Sequence, residues 1–104
     1  MELILLITTE QSYSNGVSLA KEILKRELAA CISLQNATSF YSWDGKMNES
    51  KEVQLLIKTV KPLLDELQEV IISFHSYETP EVIYFPIEAN ARYGDWIANS
   101  VKSS

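Results

Sequence analysis

The hydrophobic positions of this chain change period several times, and each period predicts its own element. Residues 3–7 form an unbroken apolar run ending in Thr8-Thr9, which predicts a strand over residues 2–9 with both faces apolar. From about residue 14 to 27 the spacing becomes helical: Val17, Ala20, Leu24 and Leu28 fall three or four apart, with Leu19 and Ile23 beside them, after a polar Ser-Asn-Gly start. Residues 28–34 (Leu-Ala-Ala-Cys-Ile-Ser-Leu) read as a second strand. Asp44-Gly45 is a hairpin signal, with Phe40, Tyr41 and Trp43 before it and Val53, Leu55 and Ile57 after it. Strands two and three are therefore expected as antiparallel neighbours. The third strand, about residues 51–60, alternates strictly, with Val53, Leu55, Ile57 and Thr59 on one face and Glu52, Gln54, Leu56 and Lys58 on the other. Pro62 suits the first turn of a helix, where its missing N–H costs nothing, and Leu63, Leu64, Leu67, Val70, Ile71 and Phe74 follow at helical spacing. Pro80 then breaks the chain. Residues 81–87 read as a fourth strand interrupted near Pro86, and residues 93–101 as a short final helix carrying Trp96, Ile97 and Val101.

The resulting order, β-α-β-β-α-β-α, matches in its first six elements the split βαβ, or ferredoxin-like, arrangement. That is an α+β fold with a four-stranded antiparallel sheet and two helices, and crossover handedness puts both helices on one sheet face. A sheet whose other face meets water alternates apolar with polar residues. The first strand does not, since Leu3, Leu5 and Ile7 on one face and Ile4 and Leu6 on the other are all apolar. The fourth is largely apolar on both faces too, through Val82, Tyr84, Ile83, Phe85 and Ile87. The final helix is too short to cover much, and an exposed apolar patch of several hundred Å² is abnormal on a monomer. A homo-oligomer packed sheet against sheet is expected.

Length and composition narrow the picture. The 104 residues, 11.8 kDa, make a single domain over residues 1–104, with no repeat, linker or low-complexity stretch. Area scaling gives about 5,900 Å² of folded surface and roughly 65% burial, a real but modest core. Fourteen acidic against nine basic residues leave a net charge of −5, which argues against a nucleic-acid partner, because phosphate binding needs a concentrated basic surface. The single cysteine excludes an internal disulfide framework, and one Cys with one His cannot close a structural zinc site within one chain. The start Met1-Glu2 has no basic n-region, and the run 3–7 is too short for a secretory core or a membrane span. A cytoplasmic protein with no membrane partner is expected.

Candidate chemistry is sparse. Cys31, between Ala30 and Ile32 in a strand, reads as a buried structural thiol. His75 closes the second helix in the segment Ser-Phe-His-Ser-Tyr-Glu-Thr-Pro-Glu, residues 73–81. It reads either as an imidazole stabilised by the helix C-terminus or as a metal ligand with oxygen from Glu78 or Glu81, a weak set that symmetry-related copies could strengthen. No nucleophile-elbow pattern occurs, and the three glycines, Gly16, Gly45 and Gly94, allow no phosphate loop. Glu52 and Lys58 share a strand face but lie about 20 Å apart, too far to pair within one strand. Tyr41, Trp43, Tyr77, Tyr84, Tyr93 and Trp96 suit an interface, where rings bury area and polar tips find partners.

Five stretches together carry a family likeness: residues 28–32 (Leu-Ala-Ala-Cys-Ile), 39–46 (Ser-Phe-Tyr-Ser-Trp-Asp-Gly-Lys), 52–59 (Glu-Val-Gln-Leu-Leu-Ile-Lys-Thr), 75–81 (His-Ser-Tyr-Glu-Thr-Pro-Glu) and 93–96 (Tyr-Gly-Asp-Trp). In this order and spacing, covering nearly the whole chain, the sequence resembles the CutA divalent-cation tolerance proteins. The resemblance implies a ferredoxin-like subunit in a tight homotrimer with sheets facing inward, similar in architecture to the PII signalling proteins. It also implies a role in tolerance to copper and other divalent cations, which makes Cu(II) or another divalent metal ion the one cofactor in view. The copper ligands it suggests fall here on Ile7, Phe74 and His75, so only His75 carries over as a metal ligand. Glu52, Lys58, Tyr77, Glu81 and Trp96 match positions expected around an inter-subunit cleft. The readings that follow are a metal-responsive trimer and, as the alternative, a PII-like signalling or scaffold trimer taking a small ligand or a protein partner in its clefts. An enzyme using Lys58, Glu52 and His75 ranks last, since neither cofactor nor substrate is named, and no catalytic residue is assigned.

Overall fold

A computed structural model describes residues 1–103; Ser104, the last residue of the expected domain, lies outside them. Its elements are β1 (Leu3–Glu10), α1 (Tyr13–Lys25), β2 (Cys31–Trp43), β3 (Lys46–Val60), a 3-10 turn (Lys61–Leu63), α2 (Leu64–Phe74), β4 (Ile83–Ile87) and α3 (Ala91–Ser100). The four strands form one antiparallel sheet in the order β2-β3-β1-β4. This is the expected α+β, ferredoxin-like order with an added C-terminal helix.

Local chemistry sets the boundaries. Ser12 caps α1 by accepting the Asn15 N–H at 3.1 Å. The helix ends in a Schellman-type turn: Glu27 takes φ 57°, its N–H reaches the Leu24 carbonyl, and the Leu28 N–H reaches that of Ile23. That turn draws Leu28 and Ala29 into the core, so the second strand starts at Cys31 rather than at residue 28. It then runs unbroken to Trp43, much further than the expected 28–34, while β3 starts at Lys46 rather than near 51. The polar stretch 35–39 hid this continuity, because this part of the hairpin has little to bury. The turn itself is as read: Asp44 and Gly45 both have positive φ, 53° and 72°, between the paired Trp43 and Lys46. These are the dihedrals of a type I′ turn, which glycine adopts without strain. Pro62 sits in the 3-10 turn ahead of α2. Pro86 lies within β4, which is confined to residues 83–87 and forms a sheet edge where a missing N–H is tolerated. Asn90 caps α3 on the Tyr93 N–H at 2.9 Å, starting that helix two residues before the expected position.

Both main helices lie on one face. Under them, Ile4, Leu6, Thr8 and Glu10 of β1 pair with Thr59, Ile57, Leu55 and Val53 of β3, all buried. Leu19, Ala20 and Ile23 of α1 and Leu64, Leu67, Val70 and Ile71 of α2 complete the core. Helix α1 comes so near the sheet at Gly16 that a Cβ there would stand 3.2 Å from Leu34 Cδ2.

The opposite face is only partly covered. Helix α3 lies over the end that carries Leu3, with Gly94 against that side chain. Beyond it Leu5, Ile7 and Leu56 are half-buried, and Ile83 and Phe85 are 51% and 44% exposed. Pairing of β1 with β3 stops at Glu10 and Val53, so residues 37–43 and 46–52 project as a two-stranded arm of about 23 Å. The molecule accordingly measures 45 × 24 × 20 Å. Its surface, 6698 Å², exceeds by about 800 Å² what its mass leads one to expect.

Candidate functional site: a cleft between the arm and the α2–β4 loop

The site starts from a buried anchor. His75 follows α2, and its side chain and that of Glu10 are almost wholly buried. Nδ1 accepts the Tyr77 N–H at 3.0 Å, so the ring proton sits on Nε2, which donates to the Thr9 carbonyl and lies 3.3 Å from Thr8 Oγ1. Glu10 accepts the N–H groups of Ser76, at 3.1 Å, and Gln11, at 3.2 Å, and also the Ser76 hydroxyl. A buried carboxylate persists when hydrogen bonds satisfy it. Together these bonds tie the loop after α2 to the end of β1.

The anchor aims Tyr77. Its ring lies 5.1 Å from the His75 ring, centroid to centroid, and its hydroxyl donates to Glu52 Oε2 at 2.7 Å. Burial, and then the neighbouring Glu52 carboxylate, push the phenol above its ordinary range. Between this loop and the arm opens a cleft of about 660 Å³, lined from the arm by Tyr41, Trp43, Asn48, Ser50, Lys51 and Glu52 and from the other side by Gln11, Tyr77, Glu78 and Thr79. Tyr41 is held by a hydroxyl bond to Ser50 at 2.9 Å.

The other expected residues lie elsewhere. Lys58, further along the same face of β3, donates to the Tyr93 hydroxyl at 3.0 Å and stands 5.1 Å from that ring's centroid. The Tyr93 bond raises its pKa. Trp96 stacks on Tyr93 with centroids 5.5 Å apart. The structure thus joins Glu52 to Tyr77 and Lys58 to Trp96 through Tyr93, as two clusters. Glu81 is exposed and outside both. Cys31 is not mid-strand and buried: it opens β2, half-exposed, opposite Lys58. Glu10 was missed by sequence reasoning, although its period-two spacing from Ile4, Leu6 and Thr8 puts it on the buried face.

His75, the expected metal ligand, has both ring nitrogens engaged within the chain. Its nearest carboxylate is Glu10, 3.8 Å from Nδ1, and among the described residues no three His, Cys, Asp or Glu side chains gather to hold an ion. Within one chain this donor set does not fit Cu(II), which takes a tetragonal array of free nitrogen and oxygen donors. Phe74, beside it, is exposed with the Arg26 guanidinium 5.2 Å from its ring, and Ile7 lies on the open sheet face.

The sequence model of the CutA1 divalent ion tolerance protein family matches residues 4–100. The chain belongs to that family. It is 38% identical over 103 residues to the chloroplastic protein CutA 1 of Oryza sativa, covering 97% of this chain and 58% of that protein. It is 34% identical over 101 residues to the divalent-cation tolerance protein CutA of Pyrococcus horikoshii, covering 96% and 99%. The crystal structure of CutA1 from Oryza sativa superposes with a TM-score of 0.96 at 37% identity, covering 100% of this chain and 97% of that one. The periplasmic divalent cation tolerance protein CutA of Archaeoglobus fulgidus superposes at 0.92 with 30% identity, covering 96% and 99%. These names describe tolerance rather than a reaction, and they place relatives in a chloroplast and a periplasm. No helix among the described residues of this CutA1-family chain is long and apolar enough to cross a membrane.

Proposed function

We propose that this CutA1-family chain acts in divalent-cation tolerance as a cytoplasmic homotrimer whose open sheet faces pack together. In that assembly Glu52, Lys58, Tyr77, Glu81 and Trp96 would border inter-subunit clefts. The observation that carries the reading is the uncovered apolar face of Leu5, Ile7, Leu56, Ile83 and Phe85. It adjoins a two-stranded arm, an element marginal in water on its own. The tolerance role is drawn from the names of the relatives. Sedimentation equilibrium tests the assembly: the expected mass is three times the 11.8 kDa of the chain, and Phe85→Glu should dissociate it. A wild-type monomer would refute the trimer.

For the metal, an ion at His75 must displace the Tyr77 amide from Nδ1 and recruit donors from other copies. Calorimetry with Cu(II) and Zn(II) on the wild type and on His75→Ala decides this. Binding lost in the variant supports a site at His75, and unchanged binding removes it.

A second reading, a trimer that takes a small ligand or partner in its clefts as PII-like signalling proteins do, is favoured by the 660 Å³ cleft with its aromatic walls and its two carboxylates, Glu52 and Glu78.

A further inference from the structure

We infer that the cleft beside the arm binds a small organic ammonium ion, a quaternary or tertiary amine, between the Glu52 carboxylate and the rings of Trp43, Tyr41 and Tyr77. The inference rests on the reading of this cleft as a ligand site and names the chemical class of its ligand.

Three features of the cleft point to this class. Its walls are electron-rich: one indole and two phenols line the same cavity, and aromatic faces attract cations through the ring quadrupole, most strongly when the cation is weakly hydrated. Its charge has the right sign. Glu52 and Glu78 outnumber the single cation Lys51 among the lining residues, and the Tyr77 hydroxyl engages only one oxygen of Glu52, leaving Oε1 to meet the ammonium. Its geometry is set in advance. Tyr77 is fixed by its hydroxyl, by its N–H bond to His75 and by that ring beside it, and His75 is itself locked to Thr9. A wall held from the buried core loses little freedom on binding, which favours affinity.

The same features disfavour a bare divalent ion. Hard cations need several oxygen donors to replace their water, and the phenol hydroxyls of this cleft are already bonded to Ser50 and Glu52. An alkylammonium gives up little hydration and needs only the rings and one carboxylate. Trp43 lines the cleft and is 67% exposed near the arm's tip, so a ligand can reach its ring.

Choline and its uncharged carbon isostere, in which a tert-butyl group replaces the trimethylammonium, test the inference by calorimetry and by Trp fluorescence on the full chain. Choline is expected to saturate one site per chain and to bind roughly tenfold tighter than the isostere, as a cation–π contact of ordinary strength implies. Trp43→Ala and Glu52→Gln should each weaken it roughly three- to tenfold, with Trp43→Phe between the wild type and Trp43→Ala. Both positions lie on the projecting arm, and circular dichroism checks that the variants fold. Equal binding of choline and isostere, choline affinity unchanged in both variants, or no saturable binding would each overturn the inference. Sedimentation of the same samples separates it from the assembly. The residues that hold the ammonium here all come from one chain, while the proposed assembly sets Glu52 and Tyr77 at a border with the next copy; a monomer that still binds choline refutes the trimer, and a trimer that does not bind it refutes the ammonium site.

Discussion

Glu10 and Tyr77 show how much a single side chain decides in this protein. Glu10 ends a strand of apolar residues, is 1% exposed, and closes the bonds that hold Ser76 and Gln11. Glu10→Ala removes the acceptor that ties the exposed Ser76 and Gln11 to the end of β1 and should lower stability by about 1–2 kcal/mol in urea unfolding, while Glu10→Gln, which keeps an acceptor, should lose less. Tyr77 has the opposite charge logic. Its phenol is raised above the unfolded value of about 10, so folding favours the protonated form. Its contribution is complete below about pH 10 and is lost as pH rises further. The expected outcome is a late step in the tyrosinate absorbance titration that Tyr77→Phe abolishes. Lys58 shares the sign, since it too is raised, by Tyr93, but it contributes no tyrosinate signal of its own. Of these residues Tyr77 and Lys58 were named in the sequence, as positions the family resemblance sets around a cleft. Glu10 was not named, because an acidic residue at a strand end is usually solvated, and only the loop returning from α2 buries it.

Among the elements, β1, α1, β3 and α2 stood out in the sequence because burial on a helix or a sheet face imposes a period on the residues. The arm did not. Its middle is polar on both faces, and nothing local distinguishes a strand paired with one neighbour from a loop between two strands. What specified it was the turn, since only Asp44-Gly45 with both φ positive carries the ribbon back on itself in register. Gly45→Ala places a Cβ in that left-handed position and should destabilise the arm by roughly 1 kcal/mol. Hydrogen exchange should then quicken across residues 37–52 and leave β1 and α2 protected; uniform acceleration would mean that the arm and the core open together. The ends of elements were misread where a cap or turn lay outside the hydrophobic pattern, as at Leu28, drawn into the core by the turn at Glu27, and at Asn90.

For the whole molecule, the apolar second face has a thermodynamic signature. If copies of the chain cover it, unfolding is linked to association and the midpoint must rise with protein concentration. A dilution series of thermal melts should show that rise, and Phe85→Glu should flatten it. The sequence alone determined the element order, the antiparallel α+β class, the family, and the excess of apolar faces over helices available to cover them, because hydrophobic period and turn chemistry act over a few neighbouring residues. Only the tertiary structure decided that Glu52 meets Tyr77 while Lys58 meets Tyr93, that both nitrogens of His75 are engaged, and that an aromatic cleft opens beneath the arm. Apart from the Tyr77 N–H on His75 Nδ1, which spans two positions, those contacts join residues twenty-five to sixty-six positions apart, and their partners are chosen by strand register and by the path of a loop, neither of which leaves a local trace in the chain.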